Sequence, residues 1–395
     1  MPKIKAFRAL RPRPELASTV ASVPYDVVDR EEAVELAKDN PHSFLHVVRP
    51  DIDLPADTNP YDDAIYAKAS ENLNRFLREE VLRQDAEESI FLYRQVMNGV
   101  GQVGVVCCCH IDDYENNRIL KHEKTRKAKE DDRTRHVLEL GAHAGPVFLT
   151  YRDDQPTNER VSEAIKEQPL YDFTAVDGVR HTVWRISDPA PYVASLSAID
   201  KFYVADGHHR AASAWRAGVQ RRSENPSHHG NEEYNWFLTV LFPASELNIL
   251  AYNRIIKDLN GQSPQEVLER LKPLGQLQSN ADPTPNSAGS FCFYLDGAWH
   301  RLTAEPDSIE RNDPIRSLDV AILEDRVLKP IFAIEDVRTD SRIDFVGGIR
   351  GTKELEKRVN SGNWACAVSM YPTSIEQLMN VSDADEIMPP KEHLV

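Results

Sequence analysis

Between Lys201 and Gly218 the chain reads KFYVADGHHRAASAWRAG, an apolar run that feeds Asp206 and Gly207 and then a segment rich in alanine. A strand that turns through a glycine into a helix gathers unpaired backbone N–H groups and the positive end of a dipole at one point, an arrangement that binds phosphate. Arg210 adds a planar fork of donors. His208 and His209 could contact a phosphate or shuttle a proton, and Asp206 at the strand end could hold Mg²⁺ or orient a histidine. The plain alternative is a capped helix whose polar residues satisfy a tight turn. Asp, Gly, two His and Arg in succession exceed what a turn needs, so the segment is read as functional. Adjacent histidines on a helix point about a third of a turn apart, and the chain has no HExxH, which disfavours a zinc hydrolase.

A second group is Lys121-His122-Glu123-Lys124-Thr125-Arg126, followed by Lys127 and Lys129. Most charge runs are solvated loops. Here, however, a carboxylate lies among cations, stays ionised at neutral pH, and could take the proton of a substrate hydroxyl while its basic neighbours hold phosphate oxygens. Val23-Pro24-Tyr25-Asp26 reads as a turn after a strand. Ala251-Tyr252-Asn253-Arg254 could point an arginine at a shared site, and in Met388-Pro389-Pro390-Lys391 the lysine is either a fixed cation or a ragged tail. Neither a Walker A pattern nor GxGxxG is present.

The elements that must position these residues can be read from periodicity and turn signals. The pattern predicts a first strand over 4–10 and a helix over 30–38 capped by Asp29, with Glu31 and Glu32 in its first turn. It predicts a strand over 44–48, a loop over 50–60, and a helix over 61–82. Runs 90–97 and 103–111 flank Asn98-Gly99 and read as a hairpin. A charged stretch then leads into a helix that Gly141 ends. Strands are predicted at 147–151, 202–205 and 237–242, with a helix from His208 or His209 to Ala217. Beyond Asn260 the pattern gives a helix over 264–271, a polar linker over 276–290 and a hairpin across Asp296-Gly297, followed by further short helices and strands. The expected organisation is two α/β units with mixed sheets, residues 1–262 and 263–395.

Composition sets limits. The 395 residues are 41% hydrophobic and 28% charged, the balance of a globular protein with more than one core. The net charge of −16, from 63 acidic and 47 basic residues, disfavours a nucleic-acid partner. Cys107, Cys108 and Cys109 are consecutive in an apolar run. Strand neighbours face opposite ways, so they are read as small apolar residues of a buried strand in a reduced, cytoplasmic protein, and neither as a disulfide nor as a zinc cluster. The start, MPKIKAFRALRPRP, lacks the apolar stretch of a signal peptide. No run approaches the ~18 apolar residues of a membrane span.

Taken in order, VPYDV, KHEKTRKAKEDDR, VADGHHRAASAW and MPPK resemble the bacterial and archaeal family of unknown function numbered ten-fifteen (DUF1015), from IKAFRAL to the C-terminus. The resemblance implies kinship with the ParB/sulfiredoxin-like superfamily, which includes ParB nucleotide switches, sulfiredoxins and ParB-type kinases of free serine. The serine kinases carry a DGHHR-type element that grips nucleotide phosphates at a helix start. Two departures stand out: Asn253 occupies a position where the family commonly has His, and the chain stops soon after MPPK. Sulfiredoxin chemistry needs a cysteine near the phosphate loop, and none lies between Cys109 and Cys292.

The resulting expectation is a kinase that uses ATP or ADP with Mg²⁺ on a small hydroxyl compound, free L-serine giving O-phosphoserine being the leading substrate. Glu123, Asp206, His208 and His209 are the expected catalytic residues, with Asp206 also the metal ligand. Gly207, His208, His209, Arg210, His122, Thr125 and Arg126 are expected to hold the nucleotide, and Tyr25, Asp26, Arg254 and Lys391 the substrate. The rival readings are a nucleotide-gated interaction protein and a non-catalytic binding protein. No membrane partner is expected, and self-association into a homo-oligomer is left open.

Overall fold

The computed structural model describes residues 1–389 and 393–394; Lys391 lies outside the described residues. The chain is a mixed α/β protein that forms two compact units. One comprises Met1–Leu120 and Lys124–Leu247, the other Lys121–Glu123 and Asn248–Val395.

The first unit is built on a mixed sheet. Its strands are β1 (Ile4–Lys5), β2 (Ile90–Met97), β3 (Val100–His110), β4 (Ile119–Leu120), β5 (Val147–Tyr151), β6 (Tyr171–Thr174), β7 (Arg180–Ile186), β8 (Phe202–Asp206) and β9 (Trp236–Pro243). They lie in the order β4-β8-β5-β9-β3-β2-β7-β6, with β1 added on β3. The β4/β8 and β5/β9 pairs are parallel and the others antiparallel. The central hairpin forms because Asn98 (φ 52°) and Gly99 (φ 81°) both accept the left-handed conformation that a two-residue turn demands. Cys107 and Cys109 point into the core beside Leu149, Phe202 and Leu241, and both Sγ atoms approach Thr239 Oγ1, at 3.6 and 3.5 Å. All five cysteines are buried and free.

Four helices of this unit carry or brace the candidate residues: α1 (Arg30–Ala37), α2 (Asp63–Arg78), α3 (Lys127–Leu140) and α4 (His208–Glu224). Asp29 caps α1, as the sequence predicts, and Glu32 completes a reciprocal capping box with it. Gly141, at φ 61°, ends α3. The α4 helix continues beyond the predicted end at Ala217. Gly218 lets it do so: a side chain there would run into Ile111 and the Tyr234 carbonyl. The predicted strand over 44–48 is instead helical at Leu45–Val48. Its short apolar run is buried in either form, and periodicity alone cannot tell the two apart.

The second unit has its own antiparallel sheet: β10 (Leu250–Ile256), β11 (Gly275–Ser279), β12 (Ser290–Leu295), β13 (Ala298–Ala304), β14 (Ile343–Gly347), β15 (Cys366–Met370) and β16 (His393–Leu394). Their order is β11-β13-β12-β15-β10-β14, with β16 on β10. Strand β10 lies ahead of the expected 262/263 boundary, yet it pairs with β14 and β15. The stretch read as a polar linker includes the edge strand β11, whose ladder with β13 tolerates polar side chains. The core gathers Ile255, Cys292, Tyr294, Trp299, Val346, Leu355 and Ala367. Among the described residues, no helix is long and apolar enough to cross a membrane.

Candidate functional site

Strand β8 ends at Asp206 with a register shift against β5, and the backbone turns through Gly207 at φ 93° and ψ 35°. Only glycine adopts this left-handed conformation without a steric penalty. Among the described residues no side chain caps α4, which begins at His208. Its first amides therefore sit at the end of a buried strand with the helix dipole behind them.

Arg210 folds back under this turn. Its side chain is 15% exposed. Nη2 donates to Asp206 Oδ2 and Nη1 to the Pro146 carbonyl, and Nε has no hydrogen-bond partner among the described residues. Burial works against the guanidinium charge, but Asp206, Asp26 and Tyr25 outweigh it and raise the Arg210 pKa. The sequence places Arg210 at the helix start, but its commitment to Asp206 emerges only in the fold. The sequence also lets Asp206 orient a histidine; in the fold its carboxylate pairs with this arginine.

Tyr25 and Asp26 come to the same place. Arg49 ties their turn down, its Nη1 donating to the carbonyls of Tyr25 (3.1 Å) and Val28 (2.5 Å) while Nε and Nη2 grip Asp51 at 3.0 and 2.9 Å. The Arg133 guanidinium lies 4.5 Å from the Tyr25 ring centroid. Burial, with Asp26 adding to it, pushes the Tyr25 hydroxyl up to about 12 against the opposing pull of Arg133 and Arg210. At neutral pH Tyr25 is a hydrogen-bonding group and not a base.

The charged segment reaches the helix start as well. The Arg126 amide donates to His209 Nε2 at 3.1 Å. Thr125 donates its hydroxyl to the Glu130 carboxylate, whose other oxygen accepts from Arg216 Nη1 at 3.2 Å. Within the first unit the structure therefore bonds Arg126 to His209 and Arg210 to Asp206, anchors Thr125 on Glu130, and sets Tyr25 and Asp26 within electrostatic reach of Arg210. Sequence reasoning missed Arg49, Arg133, Glu130 and Arg216. Glu130 and Arg133 both lie inside the KHEKTRKAKEDDR run, where nothing local separates them from solvated charges.

His122, Glu123 and Arg254 belong to the second unit. The buried His122 accepts the Met388 amide at its carbonyl, 2.8 Å away, so the start of MPPK is stitched to the start of the KHEKTRKAKEDDR run. Arg254 is buried on β10, donates to the Tyr252 carbonyl, and stands 5.3 Å from the Phe345 ring. The neighbouring Asn253 uses its side-chain oxygen to accept the Met370 amide at 3.0 Å, a bond between adjacent strands.

An uncapped helix start with a buried guanidinium donor left over fits a phosphate group. The fit to Mg²⁺ is narrower. One Asp206 oxygen is taken by Arg210, and among the described residues no group of three His, Cys, Asp or Glu is arranged for a metal. Asp206 would be the residue here to offer Mg²⁺ an oxygen, and the ion would supply charge neutralisation beside a phosphate.

Comparison with known proteins gives a family and distant structural likenesses. The family model described as "Protein of unknown function (DUF1015)" matches residues 4–321. A search of curated proteins finds no match. Among solved structures, a free serine kinase mutant in complex with ADP is 14% identical, with 73% of this chain and 86% of that one covered and a TM-score of 0.34. "Free serine kinase in complex with AMP" is 13% identical, over 73% and 86%, with a TM-score of 0.32. "SbnI with C-terminal truncation from Staphylococcus aureus" is 11% identical, over 73% and 81%, with a TM-score of 0.37.

Proposed function

This chain belongs to the DUF1015 family of proteins of unknown function, and within that family we propose that it is a nucleotide-dependent phosphotransferase acting on a small hydroxyl compound. Free L-serine, giving O-phosphoserine, is the leading substrate, and the proposal includes the ParB/sulfiredoxin-like kinship. The observation that carries it is the bond from the Arg126 amide to His209 Nε2. It joins the basic segment to the DGHHR helix start across more than eighty positions, and no local turn requires it.

In this reading the first amides of α4 and Arg210 hold the transferred phosphate of ATP or ADP, with Thr125 and Arg126 alongside. Phosphoryl transfer is mostly positioning and charge neutralisation, and Mg²⁺, when bound, would supply part of the neutralisation. Asp206 fixes Arg210 and keeps one oxygen for that ion. Glu123 is the proposed base. Asp26, whose charge is felt at Arg210, is the second carboxylate to test. Tyr25, Arg254, Lys391 and His122 are proposed substrate and nucleotide contacts. Buried, unpaired cysteines support a reducing, cytoplasmic setting.

Calorimetry with ATP and with ADP, each with Mg²⁺, should give saturable binding, and ³¹P NMR should detect O-phosphoserine when L-serine is added. Failure of both nucleotides to bind overturns the proposal. Binding without turnover of L-serine or other small alcohols would leave the nucleotide-gated binding protein as the better reading.

A further inference from the structure

An N–H group donates only to a lone pair, so the contact from the Arg126 amide, 3.1 Å from His209 Nε2, fixes the protonation pattern of the ring. Nε2 carries no proton there, and the neutral imidazole must carry its proton on Nδ1. What holds the amide in place is also visible. Arg126 is the extended residue before α3, at φ −92° and ψ 125°, with no side-chain cap of its own. Glu130 supplies the anchorage from one turn further on. Its amide donates to the Arg126 carbonyl at 3.0 Å, and its carboxylate accepts the Thr125 hydroxyl. On the other side Arg216 Nη1 donates to the same carboxylate at 3.2 Å, and the Ser213 hydroxyl donates to the His209 carbonyl at 2.6 Å and lies 3.3 Å from the Glu130 carbonyl. One residue is thus bonded both to the basic segment and to the helix that carries His209.

We infer that His209 works as a neutral hydrogen-bond donor through Nδ1, held in that tautomer by the Arg126 amide, and that Glu130 is the positioning residue that keeps the amide there. For catalysis this rests on the phosphate site proposed above: in this tautomer His209 does not take the substrate proton through Nε2, and a carboxylate stays the proposed base. The tautomer itself belongs to the chain without nucleotide and is tested there.

Selective ¹⁵N-histidine labelling, with His209→Asn to assign the signals, reads the ring directly. His209 should show an unprotonated Nε2 and a protonated Nδ1 at neutral pH. In Glu130→Ala that signature should give way to tautomer averaging, and Arg126 amide exchange should accelerate at least about tenfold, as expected on losing a charge-assisted anchor. Glu130→Gln, which keeps an acceptor for Arg216, should restore most of both readouts. If Glu130→Ala does not fold, Thr125→Val removes the same clamp more gently and should accelerate Arg126 exchange alone. A wild-type ring protonated on Nε2 overturns the inference. So does unchanged Arg126 exchange in both Glu130→Ala and Thr125→Val. Neither result depends on nucleotide binding, so loss of the kinase proposal and loss of this inference are separate outcomes.

Discussion

Replacing Gly207 by alanine probes the point on which the candidate site turns. At φ 93° an L-residue meets its own carbonyl, a penalty of about 1–2 kcal/mol. The new Cβ would also lie 3.0 Å from both Cζ and Nε of Arg210. That guanidinium is not a free end that can swing away, because Asp206 and the Pro146 carbonyl hold it. Moving it by a few tenths of an ångström lengthens charge-assisted bonds and adds about 1–2 kcal/mol. The expected destabilisation is therefore about 2–4 kcal/mol, a fall in melting temperature on the order of 5–15 °C for a unit of this size. Calorimetric or urea unfolding measures it, and a double-mutant cycle separates the two parts. In an Arg210→Ala background the steric part vanishes, and Gly207→Ala should cost only about 1–2 kcal/mol. Equal costs in both backgrounds would refute the packing argument and leave backbone strain alone. If the phosphate proposal is right, Gly207→Ala should also weaken nucleotide binding, because the shifted guanidinium and the first amides of α4 no longer share one target.

Two further perturbations each address a single side chain. Tyr25→Phe keeps the ring beside Arg133, so stability should change by less than about 1 kcal/mol; if the hydroxyl contacts substrate, KM should rise with kcat nearly unchanged, and a large drop in kcat at constant KM would contradict that role. Asp319 is buried, with Oδ1 accepting the Gly289 amide at 2.8 Å and Oδ2 lacking a partner among the described residues, and burial, partly offset by that amide, pushes its pKa up to about 7. Because the folded value lies above the unfolded one, the protonated form favours the fold. The contribution is complete below about pH 4, is lost as pH rises through about 7, and spans at most about 4 kcal/mol. Asp319→Asn should flatten the stability profile over this window, and parallel wild-type and variant profiles between about pH 5 and 8 would overturn the assignment.

Features whose causes act over a few neighbouring residues were legible in the sequence. The Asn98-Gly99 and Asp296-Gly297 turns form because consecutive positive φ angles are accessible there. The Asp29 cap needs only a side chain and an amide three residues away. The strand–Gly–helix turn at Asp206–His208 and the burial of the cysteine triplet are likewise consequences of local sterics and alternation. Tertiary structure decided the rest. Leu45–Val48 is helix and Gly275–Ser279 is strand because of what packs or pairs against them, which a short run cannot encode. The turn at Tyr25 comes under the influence of Arg210 because Arg49 ties it down, and the Arg126 amide meets His209 because α3 lies along α4 through Glu130, Ser213 and Arg216. Sequence alone marked Arg210 as a donor at a helix start. Only the fold buried it against Asp206 and set the charges of Asp26 and Tyr25 near it, since burial and long-range pairing are properties of elements brought together from distant parts of the chain.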